Sequence, residues 1–305
     1  MNKAAWAGSG PVIALDTSTA AMAAAIIRDG EVLGEVQSLA ERNHSVHVIS
    51  HLKDLLSSSN IKPEELAGIV VGNGPGSYTG MRIAVTAAKT LAWCWEKPLA
   101  GVSSLEAIAF GAWHRGMEDV PAGGEITNAH AETSREHWVL PIMDARRGQV
   151  YAAGFVCRAG ADTDGANVEE WSRFAEDGVR LMERWVDSIL ERIKDMVGRK
   201  AGSEGASAEE YANSDQIHAA AVPVVWLVGD LSLHGPAAER LAAQGAELGA
   251  EVRLTPYVME GRYLAELGQR RLAAGENENP HTFIPNYTQL TEAEVKLKAK
   301  RASEG

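Results

Sequence analysis

The chain has 305 residues, with 29 Lys and Arg against 41 Asp and Glu, and a formal net charge of −12. This charge argues against a chain that grips a nucleic-acid backbone by itself, because such binding depends on clustered cations. Hydrophobic residues make up 45% of the sequence and charged residues 23%, as in ordinary globular proteins. The length is sufficient for two domains, each with its own core.

Membrane insertion and export are not indicated. No run approaches eighteen apolar residues, and the first ten residues lack the apolar core of a signal peptide. Cys94 and Cys157 are the only cysteines, which excludes a disulfide framework and a metal site built from cysteines alone. These features predict a cytoplasmic chain without membrane contact.

The N-terminal region predicts three strands. Val12 to Leu15 is a short apolar strand that ends at Asp16, and Ala21 to Arg28 returns as a strand of small and β-branched residues. Asp29-Gly30 is a strong signal for a two-residue hairpin turn, so Glu31 to Ser38 is expected to pair with the preceding strand.

A glycine-rich turn from Gly72 to Gly80 follows a predicted buried strand, Leu66 to Val71, and precedes a predicted helix, Met81 to Trp95. The turn is not a P-loop, because Met81 and Arg82 follow its last glycine. Glycines permit a sharp backbone turn needed for packing, and a turn before a helix also points N–H groups at an anion. The sequence leaves both interpretations open.

Further helices are predicted on either side of this turn. His44 to Leu56 places Val48, Ile49, Leu52, Leu55 and Leu56 on one helical face. A strand from Leu99 to Val102 leads into a helix from Leu105 to Trp113.

The second half repeats the opening pattern. Val139 to Met143 is apolar and ends at Asp144, residues 145–148 form a turn, and Val150 to Val156 returns. Two copies of strand, aspartate, turn and antiparallel strand predict a duplicated architecture with a cleft between the halves.

The remaining elements are a predicted amphipathic helix within Phe174 to Val197, a buried strand from Val224 to Val228, and an Ala-rich helix from Pro236 to Leu248. Thr291 and Glu294 have the spacing of a capping box near the end of the chain.

Six motifs in this order resemble the TsaB family, and the resemblance spans both ends and the middle of the chain. The motifs are Ala14 to Thr19, His44-Ser45, Gly72 to Gly80, Gly101 to Glu106, Asp144 to Arg147, and Pro285 to Tyr287 with Glu292 to Glu294. TsaB proteins are bacterial subunits of the machinery that makes threonylcarbamoyladenosine in tRNA, and they are paralogues of the catalytic subunit TsaD.

The resemblance implies an α/β fold of the actin-like ATPase, RNase H-like kind, with two duplicated subdomains of mixed β-sheets flanked by helices. The implied division is an N-terminal subdomain at 1–104, which carries partner-binding helices, a C-terminal subdomain at 105–285, and a tail at 286–305. Polar stretches near 115–137, 158–170 and 198–221 read as insertions.

The resemblance also implies a non-catalytic role. TsaD-like proteins carry a metal-binding His-x-x-x-His motif at a position that this chain fills with Ser104 and Ile108, and isoleucine cannot bind a metal. We therefore expect no metal and no cofactor. The expected partners are a TsaD-like catalytic subunit and a TsaE-like ATPase, with tRNA bound only through the complex and a homodimer possible in isolation.

Nucleotide binding has only weak candidates. Asp16 and Asp144 could hold a hydrated magnesium ion, although each also suits capping of the turn that follows it, which we favour. Arg146 and Arg147 could clamp a phosphate, or they could be solvated surface arginines. An active nucleotide-dependent phosphotransferase or ATPase of the same fold is therefore the first alternative function.

His47 and His51 have the i, i+4 spacing that can bind zinc, but no third ligand is evident nearby and the Glu of H-E-x-x-H is missing. A metallopeptidase is accordingly the weaker alternative. We interpret the two histidines as part of a helical partner interface, with a wholly internal core as the competing interpretation. The other residues predicted for this interface are Met81, Ala84, Val85, Ala88, Leu91 and Ala92.

Overall fold

In a computed structural model of the chain, residues 10–39, 44–118, 135–160, 168–203 and 222–288 are described. They divide into two compact units. Unit 1 contains the described residues within 1–104, 177–179 and 260–305, and unit 2 contains those within 105–176 and 180–259.

The strands are β1 Val12–Asp16, β2 Ala21–Arg28, β3 Glu31–Leu39, β4 Gly68–Gly72, β5 Leu99–Val102, β6 His137–Asp144, β7 Gln149–Gly160, β8 Val168–Leu181, β9 Val224–Gly229 and β10 Glu251–Pro256. The helices are α1 His44–Ser58, α2 Tyr78–Cys94, α3 Ser104–Glu118, α4 Met182–Ser203, α5 Gly235–Glu247 and α6 Gly261–Ala273, with a 3-10 turn at Pro63–Glu65.

The sheet of unit 1 has the strand order β3-β2-β1-β4-β5. Strand β1 pairs antiparallel with β2 and parallel with β4, so the sheet is mixed. The turn between β2 and β3 has φ 49° at Asp29 and φ 82° at Gly30. Positive φ at both central residues is what the Asp-Gly hairpin signal predicts.

The sheet of unit 2 has the same order, β8-β7-β6-β9-β10, with β6 antiparallel to β7 and parallel to β9. Each central strand, β1 or β6, ends at the aspartate on which the predicted repeat was based. The predicted α/β fold with two duplicated mixed sheets is therefore confirmed.

The predicted end of the second subdomain at residue 285 is wrong, because α6 packs on the sheet of unit 1. Gly261 lies so close to the backbone of Ala24 in β2 that a Cβ would collide with it. Arg262 donates from Nε to Glu35 Oε2 of β3 at 2.8 Å. The chain thus returns to its first sheet at residue 260, not at its tail.

The helix predicted within Phe174 to Val197 begins later than its pattern indicates. Residues up to Leu181 form β8 at the edge of the second sheet, and α4 starts at Met182. The apolar residues at helical spacing (Met182, Trp185, Val186, Ile189, Leu190 and Ile193) are all in α4 and all buried in the core of unit 2.

Parts of the predicted insertions, namely 119–134, 161–167 and 204–221, lie outside the described residues, as does the capping box at Thr291 and Glu294. In the part of the chain that the structure describes, no helix is long and apolar enough to cross a lipid bilayer.

Candidate functional site

The carboxylate of Asp16 is fully buried and held by its neighbours. Ser18 donates to Oδ1 from both its N–H, at 2.6 Å, and its hydroxyl, at 2.7 Å. The hydroxyl of Ser104 donates to Oδ2 at 2.5 Å and accepts from the N–H of Gly74 at 3.0 Å. The turn-capping role preferred for Asp16 is confirmed by the bond from the Ser18 N–H.

Burial raises the pKa of the Asp16 carboxyl above its ordinary 3.8, although hydrogen bonds from Ser104 and Ser18 oppose the shift. Gly72 lies so near that a Cβ there would overlap the carboxylate. Both carboxylate oxygens face protein donors, which makes this geometry a poor fit for a hydrated magnesium ion that needs outward-facing oxygens.

The glycine-rich turn packs directly against the turn after β1. A Cβ on Gly76 or Gly80 would collide with the backbone oxygen of Ser18 or Thr17, respectively. The N–H of Ser77 donates to Ser18 O at 2.7 Å, and the hydroxyl of Thr17 donates to Gly80 O at 2.6 Å. The N–H groups of Gly74, Ser77 and Gly80, which could otherwise bind an anion, are thus used within the protein. This favours the packing interpretation of the turn.

Ser104 and Ile108, at which the family resemblance implies the loss of two metal-ligating histidines, both have buried side chains. The hydroxyl of Ser104 is part of the Asp16 network described above. Among the described residues, no group of three or more His, Cys, Asp or Glu side chains is placed so that it could hold a metal ion. His47 and His51 are adjacent, with ring centroids 6.2 Å apart.

The end of β6 carries a second candidate group. Asp144 Oδ1 lies 3.2 Å from Nε2 of His234, which is 5% exposed and precedes α5. No described hydrogen bond joins the Asp144 side chain to its own turn, so the capping role predicted for Asp144 is not supported. His234 was missed by sequence reasoning, because a single histidine before Gly-Pro gives no signal of its spatial partner.

The turn between β6 and β7 presents two exposed arginines in the left-handed region, with φ 64° at Arg146 and 55° at Arg147. The turn is closed by N–H donation from Ala145 to Gln149 O and from Gln149 to Arg146 O, both at 2.9 Å. No described ion pair neutralises either guanidinium. The tip of this hairpin is therefore a concentrated positive charge that faces solvent.

The interface predicted on α2 needs correction. Met81, Ala84, Val85, Ala88 and Ala92 are at most 3% exposed and belong to the core of unit 1. They cannot contact a partner unless the helix detaches from its sheet, so that part of the prediction is wrong. Leu91 is only partly buried and faces α1 rather than the sheet.

A groove lies between α1 and α2. Its volume is about 470 Å³ and its lining is mainly apolar with two lysines at the rim. Ile49, which is 55% exposed, lies on one wall, and Leu91 and Trp95 lie on the other. The remaining lining residues are Leu52, Lys53, Leu56, Ser57, Asn60, Ile61, Lys62 and Pro63. His47 and His51 are on another side of α1 and do not line the groove.

The chain is similar to several known proteins. Residues 25–123, which include α1 and α2, match the family model described as TsaD, tRNA N6-adenosine threonylcarbamoyltransferase. A Bacillus subtilis (strain 168) protein named tRNA threonylcarbamoyladenosine biosynthesis protein TsaB is 29% identical over 285 residues, which cover 93% of this chain and 96% of that protein. Its Escherichia coli (strain K12) namesake is 33% identical over 144 residues, which cover 47% of this chain and 54% of that protein.

Among solved structures, the one described as YeaZ from Pseudomonas aeruginosa superposes with a TM-score of 0.55 at 20% sequence identity. The superposition covers 91% of this chain and 99% of that chain. At this level of identity, the likeness supports the fold.

Proposed function

We propose that this chain is a member of the TsaB family and a non-catalytic subunit that supports a TsaD-like catalytic subunit in tRNA threonylcarbamoyladenosine synthesis. The observation that carries the proposal is the buried Asp16–Ser104–Gly74 network. Ser104 of this network stands where the resemblance implies that TsaD-like proteins carry a metal-ligating histidine, and its hydroxyl is already bonded to Asp16 and Gly74.

The groove between α1 and α2 is the proposed contact with the TsaD-like subunit. An apolar depression between two helices accepts apolar side chains of a partner helix. The family model of TsaD matches the part of this chain that contains both helices, so a partner of that family presents related elements. A TsaE-like ATPase would join the pair, and the same groove would allow two copies of this chain to associate in isolation.

The contact is tested with Ile49→Glu, using Leu233→Glu as the matched control. Ile49 is 55% exposed and Leu233 is 70% exposed, so both new carboxylates are solvated in the free chain. In the complex, only the carboxylate introduced at position 49 would lose its water, at a cost of several kcal/mol. We expect Ile49→Glu to melt like wild type but fail to co-elute with the TsaD-like subunit from the same cell, whereas Leu233→Glu still co-elutes. Normal co-elution of Ile49→Glu would exclude the groove as the contact.

The non-catalytic assignment is tested by tRNA modification in vitro. The isolated chain should transfer no threonylcarbamoyl group to tRNA, while its mixture with the TsaD-like and TsaE-like proteins should do so. Threonylcarbamoyl transfer in the two samples is measured by digestion of the tRNA and mass spectrometry of its nucleosides. Transfer by the isolated chain would overturn the assignment.

A further inference from the structure

A second exposed surface lies on the flank of α2 opposite the groove. We call it the α2 flank and define it by Tyr78, Arg82 and Trp93 of α2 with His281 and Tyr287 of the segment 279–288. Trp93 is 57% exposed, Tyr78 49% and Tyr287 43%. Large aromatic side chains this exposed are unusual for a surface that meets only water.

The side chains of the flank are already ordered by contacts with one another. The rings of Tyr78 and Tyr287 have centroids 5.4 Å apart, and the guanidinium of Arg82 lies 5.3 Å from the centre of the Tyr78 ring. At the other end, the rings of Trp93 and His281 are 6.4 Å apart in an edge-to-face arrangement. The fifteen-residue separation of Tyr78 and Trp93 places these two aromatic pairs about 22 Å apart along the helix.

The segment that carries Tyr287 is fixed in place. The ring of Phe283 is 8% exposed and packs against Gly101, where a Cβ would come within 2.5 Å of it. Lys89 donates to Phe283 O at 2.5 Å, and Asn286 donates from its N–H to Asn73 O at 2.7 Å. The flank is therefore a preformed surface.

The charge of the flank is opposite to that of the chain. Residues 78–94 and 279–288 contain Arg82, Lys89 and His281 but no Asp or Glu, in a protein with a net charge of −12. Carboxylates do lie at its edges: Asp177 accepts a hydrogen bond from Asn286 at 3.1 Å, and the exposed Glu96 and Glu278 border the two segments in the sequence. An anionic partner fits this surface better than a neutral or cationic one.

We propose that the α2 flank contacts unpaired nucleotides of the tRNA that the complex modifies, a proposal that rests on the proposed function. Aromatic rings and arginine planes are the groups on which unpaired bases stack, while arginine and lysine pair with phosphates. An acidic protein segment would use the cations but would gain little from the three exposed aromatic side chains. Because the whole chain is acidic, this contact acts only when the catalytic subunit holds the RNA.

The test uses the reconstituted complex with the TsaD-like subunit and an unmodified transcript of a tRNA that has adenosine 3′ of its anticodon. Affinity is measured by fluorescence anisotropy at several salt concentrations. The variant Arg82→Ala/Trp93→Ala is compared with Lys194→Ala/Val197→Ala, which removes one cation and one exposed apolar side chain from α4. We expect the first complex to bind the transcript about tenfold more weakly or worse, and the control to bind like wild type.

Two further measurements identify the physical contact. Trp93→Phe keeps a ring face and should retain most of the affinity, while Trp93→Leu should lose it. Arg82→Ala alone should reduce the slope of log affinity against log salt by about one unit. Unchanged affinity of the double variant in an intact complex would overturn the proposal.

Co-elution with the TsaD-like subunit, measured for every variant, separates this proposal from the previous one. Loss of co-elution by the double variant would identify the flank as a protein contact and overturn the RNA assignment. If wild-type protein itself fails to co-elute, the proposed function fails. The flank proposal then falls with it, because the contact acts only within the complex.

Discussion

The Asp16 carboxyl is subject to two opposing effects. Removal from water disfavours its charged form, and three short donor contacts from Ser18 and Ser104 favour it. Burial is the larger effect, so the pKa of Asp16 is raised. The sequence shows that Asp16 ends a strand, but only the structure shows that Ser104, 88 residues later, bonds to it.

The variant Asp16→Asn tests the direction of this shift. A raised pKa means that the folded chain binds the proton more tightly than the unfolded chain, so stability falls as pH rises from about 3.8 through the folded-state pKa. Asparagine does not titrate. We therefore expect the unfolding free energy of wild type to fall relative to that of Asp16→Asn as the pH is raised, measured by urea denaturation. A relative gain by wild type would show that the hydrogen bonds outweigh burial.

The arginines at the tip of the β6–β7 hairpin should contribute to association rather than to stability. In Arg146→Ala/Arg147→Ala, the strained positive φ angles are the same as in wild type, because Ala and Arg both carry a Cβ. The melting temperature should therefore change little, while complex assembly or tRNA modification should weaken as a phosphate or partner carboxylate loses its cations.

The matched control for this pair is Arg184→Ala/Lys194→Ala, which removes two exposed cations from α4. It should assemble and support modification like wild type. If the hairpin variant also does so, Arg146 and Arg147 are ordinary surface residues.

At the scale of single elements, α2 shows why a pattern of small apolar residues is ambiguous. Alanines allow close approach equally well to a sheet of the same chain or to a partner helix. The sequence therefore predicts the apolar arc on α2 correctly, but it cannot show which of its residues face the sheet and which face a partner or solvent. In the structure, Ala84 and Ala88 lie in the core, and Leu91 and Trp95 line the groove. Trp93 lies on the opposite flank.

Ala88→Glu distinguishes these assignments. Ala88 is 0% exposed, so a glutamate there would bury an unpaired carboxylate and should destabilise unit 1 by about 3–5 kcal/mol. Urea denaturation measures this, and the exposed-site variant Ile49→Glu is the control, with an expected change below about 0.5 kcal/mol. Equal stability of the two variants would contradict the placement of α2 against the sheet.

Packing of α6 against the first sheet was also beyond prediction. The helix follows the second sheet in the sequence, and its amphipathic pattern does not identify the surface that it covers. The reason for its position is steric: Gly261 and Gly268 allow it to lie against Ala24 and Val70, where any side chain would collide. By contrast, the Asp-Gly hairpin and the repeated strand-aspartate-turn unit depend on local rules, and the sequence was sufficient for both.

Gly261→Ala tests this contact, with Gly198→Ala of α4 as the control because nothing lies within 4 Å of a Cβ at that position. Overpacking at Gly261 should destabilise the chain by about 1–3 kcal/mol. At Gly198, the higher helix propensity of Ala should stabilise it by up to about 1 kcal/mol. Stabilisation by both substitutions would show that α6 does not contact β2 so closely.

At the scale of the whole molecule, each of the two units has its own hydrophobic core, and the two cores are built from different segments of the chain. Ile13 and Leu15 of β1 belong to the core of unit 1, and Leu140 and Ile142 of β6 belong to that of unit 2. A defect in one core should thus open its own unit first.

Hydrogen exchange of Gly261→Ala tests this separation. We expect amides of β1 to exchange faster than in wild type, while amides of β6 keep their protection. Equal acceleration in both strands would mean that the two units open as one.

The return of the chain to its first sheet has a consequence for synthesis. A ribosome adds about 5–20 residues per second, so the roughly 156 residues between Ser104 and Glu260 take about 8–30 s to emerge. Throughout that interval, the face of β1 and β2 that α6 later covers is exposed in the nascent chain, while every residue of unit 2 is produced within it. A chaperone that shields apolar sheet surface is therefore expected to bind nascent chains whose translation is arrested before Glu260. It should not bind chains arrested well beyond Ala273, because α6 then covers the sheet.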